Sequence, residues 1–187
     1  MNIATILVSG GMDSCVTAAS AIANGFTPAF LHMNYGQRTE KRELKAFHNI
    51  GDYYKVKERL VVDISHLTNI GGSCLTDIQI EVPAANLDSK DIPLSYVPFR
   101  NANILSAATS WAEVLRASAI YVGAVEEDSC GYPDCRRSFF DVFEEIIDTG
   151  TKPDTKIKIE TPLISLSKKE IFFPTDELPH KYLIFMF

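Results

Sequence analysis

The apolar, largely β-branched stretch Ile3-Ala4-Thr5-Ile6-Leu7-Val8 runs directly into Ser9-Gly10-Gly11-Met12-Asp13-Ser14, and then into Cys15-Val16-Thr17-Ala18-Ala19 at helical spacing. This reads as strand, tight loop and helix. Such a loop aims backbone N–H groups and the positive end of a helix dipole at one spot, which makes an anion site. Gly10 and Gly11 allow close backbone approach without a Cβ in the way. Ser9 and Ser14 offer hydroxyl donors, and Asp13 is placed to cap the helix or to hold a magnesium ion carried by phosphates. Neither G-x-x-x-x-G-K-[ST] nor G-x-G-x-x-G follows the strand, so two widespread phosphate loops are excluded.

The remaining pattern, S-G-G-x-D-S, resembles the pyrophosphate loop of the N-type ATP pyrophosphatases, as against an ordinary serine-glycine turn before a helix. Those enzymes split ATP between its α and β phosphates. The resemblance implies that Val8, Ser9, Gly10, Gly11, Met12, Asp13 and Ser14 contact ATP, with Asp13 also catalytic and a magnesium ligand.

The chain has 187 residues, 46% of them hydrophobic and 22% charged, which predicts one globular domain. A net charge of −6 speaks against a broad contact with nucleic-acid phosphates. No apolar run approaches the ~20 residues that span a bilayer. The first strand begins without a basic region or cleavage site, so the expected location is cytoplasmic, away from membranes. Cys15, Cys74, Cys130 and Cys135 are expected to be reduced thiols. Cys130 and Cys135 have a spacing that fits zinc, but no second close pair accompanies them.

Strands and helices alternate, which predicts a doubly wound, five-stranded parallel α/β sheet with helices on both faces. Expected strands are 3–8, 28–33, 59–64, 119–124 and 156–161; expected helices are 13–24, 38–55, 101–116 and 139–147. Ile104, Ala108, Trp111 and Leu115 are expected to form the buried face of the third helix. Residues 66–97 lose periodicity and read as a long irregular segment with short helical pieces, of the kind that forms lids.

Further blocks follow in order: Tyr35-Gly36-Gln37-Arg38, Val97-Pro98-Phe99-Arg100-Asn101, Gly131-Tyr132-Pro133-Asp134-Cys135-Arg136, and Thr161-Pro162-Leu163 with Ser167-Lys168-Lys169-Glu170-Ile171. Together with Ser9–Ser14 they resemble the block series of the 7-cyano-7-deazaguanine synthase family, from Ile3 to Ile171. The resemblance implies an ATP-dependent carbon–nitrogen ligase that converts 7-carboxy-7-deazaguanine and ammonia to the nitrile, through adenylated intermediates, in queuosine precursor synthesis. A carboxylate does not expel oxide but does expel AMP, so no protein nucleophile is needed. His32, His48, His66 and His180 are scattered and suggest no histidine mechanism.

Residue types match those uses. Met33, Tyr35, Gly36 and Gln37 lie past the second strand, where doubly wound sheets bind ligands, and suit an adenine edge; a plain strand–helix turn is the alternative. Arg100 can grip phosphate or carboxylate in a bidentate way and is expected to be catalytic, as is Lys168, a point charge for the β and γ phosphates. A surface arginine and a solvated helix lysine are the alternatives. Asn101, Glu126, Asp128, Tyr132, Asp134 and Arg136 form an acidic, aromatic and basic set that suits a planar polar base. A hydrophilic loop is the alternative there.

Two departures stand out. Phe99 occupies the place where the family pattern has glycine, and no cysteine follows Cys135, although the family carries a C-terminal four-cysteine zinc cluster. Residues 172–187, ending in Leu183-Ile184-Phe185-Met186-Phe187, are therefore expected to be a divergent, truncated tail after an ATP-pyrophosphatase-type domain at 1–171, with zinc absent and turnover weak. Other ATP pyrophosphatases (a tRNA sulfur-transfer enzyme, an NAD or GMP synthetase) and an inactive nucleotide-binding form are the competing readings. The implied partners are a small deazaguanine and ammonia, with a homodimer as an open assembly.

Overall fold

Every strand pairing in the computed structural model is parallel, and the strand order β3-β2-β1-β4-β5 places the first strand in the middle of one sheet. The structure describes residues 2–77, 79–81, 92–125 and 131–172. Among them, β1 (Ile3–Leu7), β2 (Thr27–Asn34), β3 (Glu58–Asp63), β4 (Ala119–Tyr121) and β5 (Lys158–Glu160) form the sheet. Helices are α1 (Met12–Ala23), α2 (Glu40–Tyr53), α3 (His66–Ile70), α4 (Arg100–Leu115), α5 (Arg137–Gly150) and α6 (Lys168–Phe172).

Successive side chains on a strand face opposite ways, and the two cores follow that alternation. Ala4, Ile6 and Phe30 pack with Ala18 and Ala21 of α1 and Phe47 and Ile50 of α2. Leu31, Ile120 and Ile159 pack on the other face with Leu105, Ala108 and Ala112 of α4 and Phe140, Phe143 and Ile147 of α5. Helices thus cover both faces, which is why the central strands are largely apolar, with Thr5 and His32 as buried polar exceptions. The strand order reverses between β1 and β4, and a crevice opens there at the carboxyl edge.

Three expectations need correction. β4 ends at Tyr121, not Ala124: Val122 still donates to the Glu160 carbonyl (2.9 Å), after which the chain leaves the sheet. The buried face of α4 is Ala102, Leu105, Ala108 and Ala112, whereas Ile104, Trp111 and Leu115 pack at its margin. Small alanines let α4 lie close to the sheet, and the larger residues cover its flanks. α5 is longer than expected at both ends, running from Arg137 to Gly150, and Glu144 within it accepts the Ile159 N–H (2.8 Å), tying the helix to β5. In the 66–97 segment α3 is a helical piece, and Arg38 Nη2 donates to the carbonyls of Asp77 (3.1 Å) and Ile80 (2.9 Å).

Candidate active site

A cavity of about 430 Å³ occupies the crevice where the strand order reverses. The β1–α1 loop forms one wall with Val8, Ser9, Gly11, Asp13 and Ser14; Leu31, Met33 and Tyr35 form a second; Arg100, Asn101, Tyr132 and Cys135 form a third. Sequence reasoning missed Glu43 of α2 and Val122, Gly123 and Ala124 after β4, all of which also line it. The Glu43 signal was its place in α2 one turn past Thr39. The Val122–Ala124 signal was hidden by its strand-like composition.

The loop is organised by its own serines. Ser14 Oγ donates to the Gly11 carbonyl (2.8 Å) and accepts from Gly10 N–H (3.2 Å) and Ser9 Oγ (3.3 Å), while Ser9 Oγ accepts Gly11 N–H (3.3 Å). The hydroxyl hydrogens of Ser9 and Ser14 are thus engaged within the loop rather than aimed at a ligand. No side chain at the N-cap bonds to the α1 first-turn amides, the arrangement an anion site needs. Gly10 has φ +86°, and a Cβ there would lie 2.6 Å from Ala46 Cβ, so its role is backbone conformation and packing against α2. At Gly11, by contrast, a Cβ meets nothing nearer than Ser9 Oγ at 3.5 Å; its absence leaves room in the cavity. Met12 does not line the cavity but packs with Val16, Val125, Leu163 and Ile171.

Across from the loop, Arg100 lies over the Tyr35 ring, 5.1 Å from its centroid, and Nη1 donates to Tyr35 Oη (3.2 Å). Burial pushes the Tyr35 phenol up; the Arg100 charge opposes this and the Glu43 charge adds to it. The phenol keeps its proton at neutral pH. Arg100 lines the cavity, and its Nε is buried without a hydrogen-bond partner among the described residues. Burial first, then the Asp13 charge, pushes the Cys15 thiol up to about 11, which favours its protonated form at neutral pH.

Several expected contacts stand outside the cavity lining. Gln37 is buried; its Oε1 accepts Tyr35 N–H (2.9 Å), and its Nε2 donates to Glu43 (3.1 Å) and to the Met33 carbonyl (3.4 Å), so it shapes the turn. Gly36 has φ +76°, and a Cβ there would sit 2.1 Å from Thr68 Cγ2. Asp134 is buried with its carboxylate on the Asn101 N–H (2.9 Å), which caps α4. Arg136 is exposed at the start of α5, and Lys168 is exposed at the start of α6. Tyr132 does line the cavity, held by a hydroxyl contact to Ser95 (2.7 Å). Glu126, Asp128 and Cys130 lie outside the described residues, as does the tail at 173–187. Cys15, Cys74 and Cys135 form no disulfide among the described residues.

A doubly wound parallel sheet with a Ser-Gly-Gly-x-Asp-Ser loop opening on its carboxyl-edge cavity defines an α/β nucleotide-binding domain of the ATP-pyrophosphatase class. The family model for queuosine biosynthesis protein QueC matches residues 3–184, and the chain belongs to that family. The match passes Ile171, so the family likeness reaches further into the C-terminal residues than the motif blocks alone indicated. The chain is 59% identical over 175 residues to the 7-cyano-7-deazaguanine synthase of Chloroherpeton thalassium, covering 94% of this chain and 77% of that protein. It is 57% identical to the protein of the same name from Chlorobaculum parvum, covering 90% of this chain and 74% of that one. A solved chain from Methanocaldococcus jannaschii, described as a predicted subunit of tRNA methyltransferase, superposes with a TM-score of 0.56 at 16% identity, covering 91% of this chain and 72% of that one. At that identity the likeness is one of fold. No helix among the described residues is long and apolar enough to cross a membrane.

Proposed function

We propose that this chain makes 7-cyano-7-deazaguanine from 7-carboxy-7-deazaguanine and ammonia, splitting ATP to AMP and pyrophosphate. The observation that carries the reading is a phosphate-type loop and the Arg100 cation lining one cavity, in a chain 59% identical to a protein of that name. Two anions must meet for adenylation: the carboxylate of the base and the α phosphate of ATP. The α1 first-turn amides suit the phosphates, and Arg100, braced by Tyr35, suits the carboxylate or the phosphate it attacks. Carboxylate oxygen attacks the α phosphorus, pyrophosphate leaves, and the acyl adenylate forms. Ammonia then displaces AMP to give the amide. A second adenylation, on the amide oxygen, lets the nitrile form as AMP departs with that oxygen.

Apolar Leu31 and Met33 with Tyr35 suit the adenine side, and Asn101 and Tyr132 suit the deazaguanine side. Asp13 and Glu43 are the oxygen donors that would hold a magnesium ion accompanying the phosphates, and such an ion would supply charge neutralisation of the pyrophosphate. Among the described residues no group of three or more His, Cys, Asp or Glu side chains is arranged as a metal cluster, and no step is assigned to zinc.

Purified protein incubated with ATP, magnesium, ammonia and 7-carboxy-7-deazaguanine should yield AMP, pyrophosphate and a base lighter than the acid by the mass of conversion to a nitrile. ADP and orthophosphate as primary products refute the α–β cleavage. AMP without any change in the base refutes the deazaguanine assignment but leaves the ATP-pyrophosphatase class standing.

A further inference from the structure

We infer that His32 is a positioning residue for the β1–α1 loop: its imidazole holds the last backbone carbonyl before the loop and so sets where the phosphate-binding amides lie. The inference rests on the reading of that loop as a phosphate cradle. The β1–β2 register ends at Leu7↔Leu31. One residue further, Val8 N–H still donates to the Leu31 carbonyl (2.9 Å), but the strands then part to open the crevice. The Val8 carbonyl is left without a sheet rung at the point where the loop begins. His32 Nδ1 lies 2.8 Å from it.

A carbonyl only accepts, so Nδ1 carries the hydrogen and the ring is fixed as that tautomer. His32 is 1% exposed and Val8 1% exposed, so water does not substitute for this bond. The ring is wedged against Phe47 of α2, 5.3 Å between centroids, which ties the loop's base to the helix that also contacts Gly10.

The other ring nitrogen shows that packing alone does not account for histidine here. Nε2 is buried and has no hydrogen-bond partner, an arrangement that costs stability and that a leucine would avoid. What leucine cannot do is donate to Val8. Asparagine can, because its amide nitrogen stands where Nδ1 stands, though it leaves space beside Phe47. Stability and loop geometry should therefore respond in opposite orders to the two substitutions.

The test uses the full chain, with a non-hydrolysable ATP analogue and inorganic pyrophosphate as probes, alongside thermal unfolding and amide hydrogen exchange of residues 9–14. His32→Leu is expected to unfold at a temperature no lower than His32→Asn, yet to bind both probes at least tenfold more weakly than the parent and to exchange its loop amides faster. His32→Asn should bind within about threefold of the parent and keep the parent's loop protection. His32→Leu with parental binding and parental exchange overturns the inference, and so does equal weakening in both variants. If the parent itself binds neither probe, the phosphate-cradle reading fails; the exchange comparison still judges whether His32 positions the loop.

Discussion

Asp134 and Asn101 are clasped from both sides: Asp134 Oδ2 accepts the Asn101 backbone N–H at 2.9 Å, and the Asn101 side-chain amide donates back to the Asp134 carbonyl at 2.9 Å. The same amide reaches Cys135 Sγ at 3.3 Å. A carboxylate from a distant block thus serves as the missing cap of α4, on the turn that carries Arg100. The Gly131–Arg136 block therefore acts on the cavity partly by holding its wall in place.

Asp134→Ala should lower stability by about 2 kcal/mol, because it removes a helix cap and leaves a partly buried N–H without its acceptor. For a domain of this size that is a drop of roughly 4–8 °C in melting temperature. Asp134→Asn, which keeps an acceptor, should lose less. Thermal unfolding of the three proteins decides it, and an unchanged melting temperature for the alanine variant contradicts the capping role.

The two glycines of the loop should separate cleanly. Gly11→Val is expected to keep the parent's melting temperature and lose ATP affinity at least tenfold, since its branch meets open cavity rather than protein. Gly10→Val is expected to be poorly folded, because it needs a positive φ and collides with Ala46. Calorimetric binding and circular dichroism read the difference. Parental ATP affinity in a folded Gly11→Val removes the loop from phosphate binding.

That contrast shows what was legible from residues alone. The order of elements, the parallel sheet and the loop's place at its carboxyl edge follow from periodicity and glycine placement, which are local signals. What each residue does within the site is not local. Gly10 and Gly11 look alike in sequence, and only the approach of α2 distinguishes them. Ser9 and Ser14 look like ligand donors until their mutual hydrogen bonds are seen. Gln37 and Asp134 are polar residues in motif blocks, yet each is spent on backbone amides, partners that no spacing rule reveals. Glu43 and His32 reach the site from elements read mainly as scaffold.

A pH effect should come from the α5–β5 junction. Burial pushes the Glu144 carboxyl up, but the hydrogen bonds from Lys158 and from the Ile159 N–H, with the Lys158 charge, outweigh it and hold the group below its ordinary 4.5. Lys158 is correspondingly raised by Glu144, so both partners give the same sign. A depressed folded value means stability that is present above 4.5 and lost as pH falls through the lower folded value. The parent should therefore lose stability more steeply than Glu144→Gln as pH drops below 4.5, measured by urea unfolding at a series of pH values. Parallel curves for the two proteins contradict the pairing.

Phe99 stands where the resemblance of the motif blocks implies a glycine, and the backbone conformation is one that glycine suits. It adopts φ 56° and ψ 27°, the left-handed region, immediately before α4. An L-residue with a Cβ pays about 1 kcal/mol there. Its N–H is held by Tyr96 Oη (3.0 Å), and its carbonyl accepts from Asn103 Nδ2 (3.0 Å), so the conformation is imposed from both sides. The ring is 61% exposed and recovers part of the strain by an edge contact to Phe139, 6.3 Å between centroids. Comparing Phe99 with glycine directly mixes strain relief with loss of that contact. Phe99→Ala and Phe99→Gly lose the ring equally and differ chiefly in the cost of a Cβ at positive φ. Phe99→Gly should be the more stable of the two by about 1 kcal/mol, despite the greater freedom of glycine in the unfolded chain. Denaturant titrations of both variants measure this, and an alanine variant as stable as the glycine one refutes the strain at the entrance to α4.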